Sequence, residues 1–170
     1  TPTVSGAYDP QMEYTTYMLV GAPNCTSCAA GYAQPRSGAA SCIACALGKY
    51  QEMVGSVTCS NCSAGSFSGS VGQAACQFCP RGKAQSLTGQ VACSICVTGK
   101  AATTAGQNFC DDCEPGTHSP SNGAENCTRC DFLRGMAQNE SGKSNCSYCP
   151  GGTFAGDGSN CTLCPLGRGG

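Results

Sequence analysis

The amino-acid sequence predicts a small disulfide-rich repeat protein. The expected shape is an elongated, solenoid-like rod of short β-hairpin and loop units, with little regular secondary structure and no long helix. Three observations carry this expectation. All 18 cysteines fall in nine C-x-x-C doublets, and from Cys25 to Cys127 the first cysteine of each doublet recurs every 17 residues. Glycines recur at two fixed positions in the same unit. Large apolar residues are too few to fill an ordinary core. Self-similarity at a fixed short period is the mark of a repeat architecture and outranks any local reading.

The repeating unit is C-x-x-C-x-x-G-x-x-x-x-x-x-G-x-x-x, seen in Cys42-Ile-Ala-Cys45-Ala-Leu-Gly48, then Gly55, then Cys59. The first glycine follows the second cysteine by three: Gly31, Gly48, Gly65, Gly82, Gly99 and Gly116. The second precedes the next cysteine by four: Gly38, Gly55, Gly72, Gly89, Gly106 and Gly123. Glycine at fixed positions suits turns that need positive φ. Each unit therefore reads as a two-limbed loop that turns at both glycines.

Leu, Ile, Val and Phe together number 20 of 170 residues, and Trp is absent. Such a chain cannot bury a large core and needs cross-links. Cysteine above a tenth of the residues is the level of a disulfide scaffold, and a net charge of −1 does not fit a disordered polyelectrolyte. The sparse, balanced charge gives no footprint for nucleic acid. No apolar run approaches the roughly 18 residues of a membrane span. The sequence opens without Met or a signal-peptide pattern, which reads as a mature or trimmed segment.

In chain order, residues 1–24 form an apolar extension with Tyr8, Met12, Tyr14, Tyr17 and Met18, and Tyr14 to Val20 reads as a strand. It is expected to cap the first repeat or to be donated to a neighbouring molecule. Residues 25–170 form nine tandem repeats of about 17 residues, the last one partial. Two residues after the first glycine stand Tyr50, Phe67, His118 and Phe154, or Ala33, Ala84, Ala101 and Ala137; this reads as the packing position of each repeat. The seventh copy gains two residues just after Cys130, in Asp131-Phe132-Leu133-Arg134. The eighth is shortened within 155–160, and the ninth, 161–170, has only its head.

The spacing C-x2-C-x13-C-x2-C is close to that of zinc ribbons. Zinc would take doublets two at a time, and nine leave one over. A thioredoxin-like redox role lacks any surrounding βαβ pattern. Six of the eight asparagines open an N-x-[ST] sequon: Asn24, Asn61, Asn126, Asn139, Asn145 and Asn160. With 32 Ser and Thr in the chain, chance would give one or two. The sequons favour a secreted, N-glycosylated chain and hence disulfides. Spacing alone leaves the pairing open. Closure within a doublet and closure across the 13-residue interval are both possible, and a loop of about 15 residues is nominally worth ~3 kcal/mol.

Cys45-Ala-Leu-Gly48-Lys-Tyr50 running to Cys59 resembles the C-x-x-G-x-Y…C module that opens tumour-necrosis-factor-receptor cysteine-rich domains. The tandem array over residues 25–167 is more similar to the ephrin-receptor-like cysteine-rich repeats of extracellular proteins. That resemblance implies an elongated extracellular rod and a pairing of each second cysteine with the next first one. The pairs would be Cys28–Cys42, Cys45–Cys59, Cys62–Cys76, Cys79–Cys93, Cys96–Cys110, Cys113–Cys127, Cys130–Cys146 and Cys149–Cys161. Cys25 and Cys164 would then be left unpaired or joined between chains.

No catalytic set, cofactor site or metal-ligand set is expected. His118, the single histidine, occupies the packing position of its repeat. Asp111, Asp112 and Glu114 read as a solvated acidic face, with calcium ligation the alternative. Lys49, Lys83, Lys100 and Arg168 follow first glycines and would form an intermittent basic stripe, serving solubility or contact with an anionic glycan or partner. The expected function is an extracellular structural or assembly module of a cell-surface or filament-forming protein, not an enzyme. Its expected partners are copies of itself, end to end, or another extracellular protein, with attached glycans and no insertion into a membrane. The alternative is a receptor-type module that binds a protein or glycan ligand.

Overall fold

The computed structural model describes residues 24–169. The strand and capping role expected for the 1–24 extension thus lie outside the described residues, Asn24 excepted. Within the described residues the only helical element is a three-residue 3-10 turn, Phe132–Arg134. The rest is a series of eight two-stranded antiparallel hairpins, each confined to its own sheet.

Every hairpin is built the same way. The limb that follows a first glycine pairs with the residues inside the next doublet. Tyr32–Ala33 pairs with Ile43–Ala44, Lys49–Tyr50 with Ser60–Asn61, Ser66–Phe67 with Gln77–Phe78, and Lys83–Ala84 with Ser94–Ile95. Lys100–Ala101 pairs with Asp111–Asp112, Thr117–His118 with Thr128–Arg129, Met136–Ala137 with Ser147–Tyr148, and Thr153–Ala155 with Cys161–Leu163. Two-residue strands cannot hold alone. A disulfide at the root of each hairpin holds its limbs together.

The structure joins Cys28 to Cys42, Cys45 to Cys59, Cys62 to Cys76, Cys79 to Cys93, Cys96 to Cys110 and Cys113 to Cys127, all 14 residues apart. Cys130–Cys146 spans 16 residues and Cys149–Cys161 spans 12, so the longer and shorter copies keep the same link. Cys25 and Cys164 are free.

Glycine makes the turn that starts each hairpin. Lys49 N–H donates to Ala46 C=O at 3.0 Å, closing a four-residue turn whose third residue, Gly48, has φ +76°. That turn type demands positive φ at its third residue, the one place where a side chain is costly.

Successive repeats are stitched by three backbone hydrogen bonds. Gly48 N–H donates to Ser68 C=O, Gln51 N–H to Gln73 C=O, and Gly72 N–H to Cys45 C=O, at 2.8–3.1 Å. The next junction repeats the pattern: Gly65 to Gln85, Ser68 to Gln90, and Gly89 to Cys62. Contact also reaches the next repeat but one, since Gly48 lies against Gly89, Gly65 against Gly106, and Gly82 against Gly123. Contacts that run only between near copies draw the molecule out into a rod.

The core is narrow and largely sulfur. Cys45, Cys62 and Cys79 are wholly buried, with Cys96 and Cys113 nearly so. Around them pack small groups: Ala84, Ala101, Ala102, Ser68 and Ser119. Ala33, Ala84, Ala101 and Ala137 are buried at the packing position, whereas Tyr50, Phe67 and His118 are half-buried there and Phe154 is exposed.

The irregular seventh copy spends its two extra residues on the 3-10 turn. Asp131 Oδ1 accepts from Arg134 N–H at 3.3 Å, and Gly135 ends the turn at φ +72°. In the eighth copy Gly158, at φ +87°, turns the chain three residues before Cys161.

Candidate functional site: the exposed face of the ladder

Because cysteines fill the interior, the large side chains are left outside. The doublet interior projects outward, exposing Ile43, Phe78, Ile95, Tyr148 and Leu163. The loop between the glycines exposes Met53, Val54, Val71 and Leu87, and the segment from the second glycine to the next cysteine exposes Val57 and Phe109.

All six sequon asparagines are exposed: Asn24, Asn61, Asn126, Asn139, Asn145 and Asn160. Asn61 differs from the rest. It lies on a strand opposite Lys49, with its side chain against Gly89. Residues 64–121 carry no sequon, and this stretch exposes Phe78, Leu87, Ile95 and Phe109.

Some charged residues are committed to partners in their own hairpins. Lys100 Nζ donates to Asp112 Oδ1 at 2.6 Å across one hairpin. Asp111 Oδ2 accepts from Gln107 Nε2 at 2.8 Å. Those two carboxylates point to local partners, and Glu114 is exposed with its backbone C=O accepting from Thr117. Lys49 is exposed opposite Asn61, Lys83 is half-buried opposite Ile95, and Arg168 is exposed, so the basic stripe is broken by the Lys100–Asp112 pair. Arg81 bridges to Glu125 at 3.3 Å, tying two repeats together.

His118 Nδ1 lies 3.1 Å from Cys146 Sγ. His118, Cys130 and Cys146 form a close trio of metal-ligand types. Cys130 and Cys146 are bonded to each other, however, and only a thiolate ligates metal well. In this form the histidine packs on a disulfide.

Sequence reading missed one recurrent device, a glutamine three residues after the first glycine. Gln51 Nε2 donates to Thr58 C=O at 2.6 Å while its Oε1 accepts from Met53 N–H at 3.0 Å. Gln34, Gln85 and Gln138 make the same two bonds, reaching Ser41, Ala92 and Asn145. Each clamps the loop between the two glycines. The signal was present as Gln at Gly+3 in four copies, but its partners are backbone groups that sequence does not reveal.

Two shallow clefts of about 250 Å³ open between repeats. One is lined by Phe67, Ser68 and Gln73, the other by Asn139, Tyr148 and Asn160. Beside the second, Ser159 donates from its hydroxyl at 2.6 Å and its N–H at 2.8 Å to Asp157 Oδ1, holding that carboxyl below its usual range.

This repeat geometry, doublets with glycine three residues on and a disulfide to the next doublet, has a counterpart in a known family. The family model described as tyrosine-protein kinase ephrin type A/B receptor-like matches twice, over residues 16–58 and 48–89. Over residues 16–89 the chain matches ephrin-receptor-like cysteine-rich repeats. The two matches together include the first four doublets, Cys25 to Cys79, and the same hairpin and disulfide recur beyond them. No curated protein matches the chain. Ephrin-receptor-like modules and dense disulfides point to an extracellular domain. Among the described residues no helix is long and apolar enough to cross a membrane.

Proposed function

We propose that this chain is an extracellular structural and assembly module, a glycosylated rod of a cell-surface or filament-forming protein that associates end to end. One observation carries the reading: the junctions from Cys28 to Cys113 use the same backbone bonds and the same link from second cysteine to next first cysteine. Cys164 is a free second cysteine and Cys25 a free first cysteine. The two ends are therefore complementary by the ladder's own rule, and one copy's Cys164 suits another copy's Cys25. A head-to-tail contact of this kind grows an open filament when its rotation does not close. The six exposed acceptor asparagines support glycosylation. The reading assigns the chain no catalysis; the single histidine is occupied against a disulfide sulfur.

The test is to run native material unreduced on a gel and to image it. A ladder of multimers that collapses on reduction supports end-to-end assembly. A monomer without filaments refutes it.

A second reading, a receptor-type module for a protein or glycan ligand, is favoured by the exposed Phe78, Leu87, Ile95 and Phe109 on the sequon-free stretch. Such a module stays monomeric until ligand arrives, and sedimentation across a concentration series separates the two.

A further inference from the structure

The cleft between the seventh and eighth repeats has two acceptor asparagines, Asn139 and Asn160, on its wall. The same cleft is lined by Tyr148, an aromatic residue left 71% exposed. The neighbouring lining is small or polar, with Ser147 and Ser159. Both acceptor loops are held in advance. The Gln138 side chain clamps the segment carrying Asn139 through Asn145 C=O and Glu140 N–H, at 2.9 and 3.0 Å. Asp157 fixes the segment before Asn160 through both bonds to Ser159.

We propose that this cleft seats the innermost sugar of an N-linked glycan carried by Asn139 or Asn160, stacked on the Tyr148 ring. The proposal rests on the glycosylated reading above and goes further, because it assigns the sugar a binding site on the protein. Attachment forms a bond from the asparagine Nδ2 to sugar C1, breaks the C1–O bond to the phosphate of an activated glycan donor, and releases one amide proton. The attached pyranose then presents C–H groups along one face, and these suit the negative face of an aromatic ring. Its hydroxyl and acetamide groups meet serine and amide lining that can donate and accept. The cleft, at about 250 Å³, lies just below the range of whole-ligand pockets, so it accepts one sugar ring and leaves the rest of the glycan outside. Tethering places the sugar at an effective concentration on the order of mM, so modest contacts suffice to fill the seat. One seat with two acceptors also means that only one of the two glycans is held.

The test uses the full chain secreted from cells that glycosylate, then trimmed to a single N-acetylglucosamine at each occupied asparagine. Glycopeptide mass spectrometry reads occupancy, and nuclear Overhauser contacts read sugar protons against the Tyr148 ring. The expected result is occupancy at Asn139 or Asn160 with ring-to-sugar contacts. Those contacts vanish in Tyr148→Ala with occupancy unchanged. They also vanish in one of Asn139→Gln and Asn160→Gln and persist in the other, which names the carrier. An occupied cleft asparagine without ring contact overturns the seat. So does occupancy confined to the other four sequons, which leaves the glycosylated reading standing. No glycan at any of the six overturns both.

Discussion

Gly48 and Gly89 meet face to face two repeats apart: a Cβ on Gly48 would lie 2.0 Å from the Gly89 carbonyl oxygen. Gly38 is a useful contrast, with φ +73° and nothing within 4 Å of a Cβ. Gly38→Ala should cost only the left-handed backbone penalty, about 1–2 kcal/mol. Gly48→Ala carries that penalty plus an overlap with rigid backbone, about 1–3 kcal/mol more. The denaturant midpoint should fall roughly twice as far for Gly48→Ala as for Gly38→Ala. Equal shifts would show that repeats two apart are not in contact.

The disulfide Cys79–Cys93 closes a mid-array hairpin whose strands, Lys83–Ala84 and Ser94–Ile95, have two residues each. Replacing both cysteines by Ala should remove about 3 kcal/mol, the value for a loop of this length. Cys79 is wholly buried, so the pair is also a large part of the local core. Because each repeat leans on its neighbours, the loss should spread to adjacent copies. Limited proteolysis should cut within residues 76–110 first, leaving the Cys28–Cys42 end protected. Uniform cleavage along the chain would contradict a locally coupled array.

The architecture was legible because its constraints are local and periodic. Glycine at Gly48 and its equivalents marks a turn whatever surrounds it, and the doublets keep time for the whole array. What stayed hidden depends on contacts between copies. The Gly48–Gly89 approach links residues 41 apart and has no signature beyond glycine itself, already explained by φ. Lys49, Lys83 and Lys100 share a register, yet only Lys100 faces an acid, because Asp112 belongs to the partner strand. Reading one strand at a time suggests a stripe where pairing makes an ion pair. The cleft at Tyr148 arises where a lengthened copy meets a shortened one, and each irregularity was visible in the sequence without their juxtaposition.

The Gln85 clamp makes two side-chain bonds, to Ala92 C=O at 2.9 Å and from Leu87 N–H at 3.1 Å. Gln85→Ala should lose both, at about 0.5–1.5 kcal/mol each before solvent replaces part of them. A net loss of about 1 kcal/mol is expected, with faster amide exchange at Leu87. Ser86, exposed one position on, supplies the control: Ser86→Ala should change neither. If Gln85→Ala leaves Leu87 exchange unaltered, the clamp does not order the loop.

Asp157 gives the loop ahead of Asn160 a defined acid sensitivity. Its carboxyl is held below the usual 3.8 by the Ser159 hydroxyl and N–H, which donate to the ionised form. A depressed folded value means the contribution is complete above the unfolded pKa and disappears as pH falls through the folded one. The loop should therefore be unchanged from neutral pH down to about 5 and should loosen only below the ordinary aspartate value of roughly 4. Because Asp157 is exposed, the effect should stay local, leaving the global melting temperature nearly unchanged. The Ser159 amide shift, followed by NMR from neutral pH into strong acid, should titrate with a midpoint under 3.8. Asp157→Asn should abolish that titration while the disulfide ladder stays intact. A midpoint above 3.8, or a titration that survives Asp157→Asn, would remove Asp157 as the group that orders this edge of the cleft.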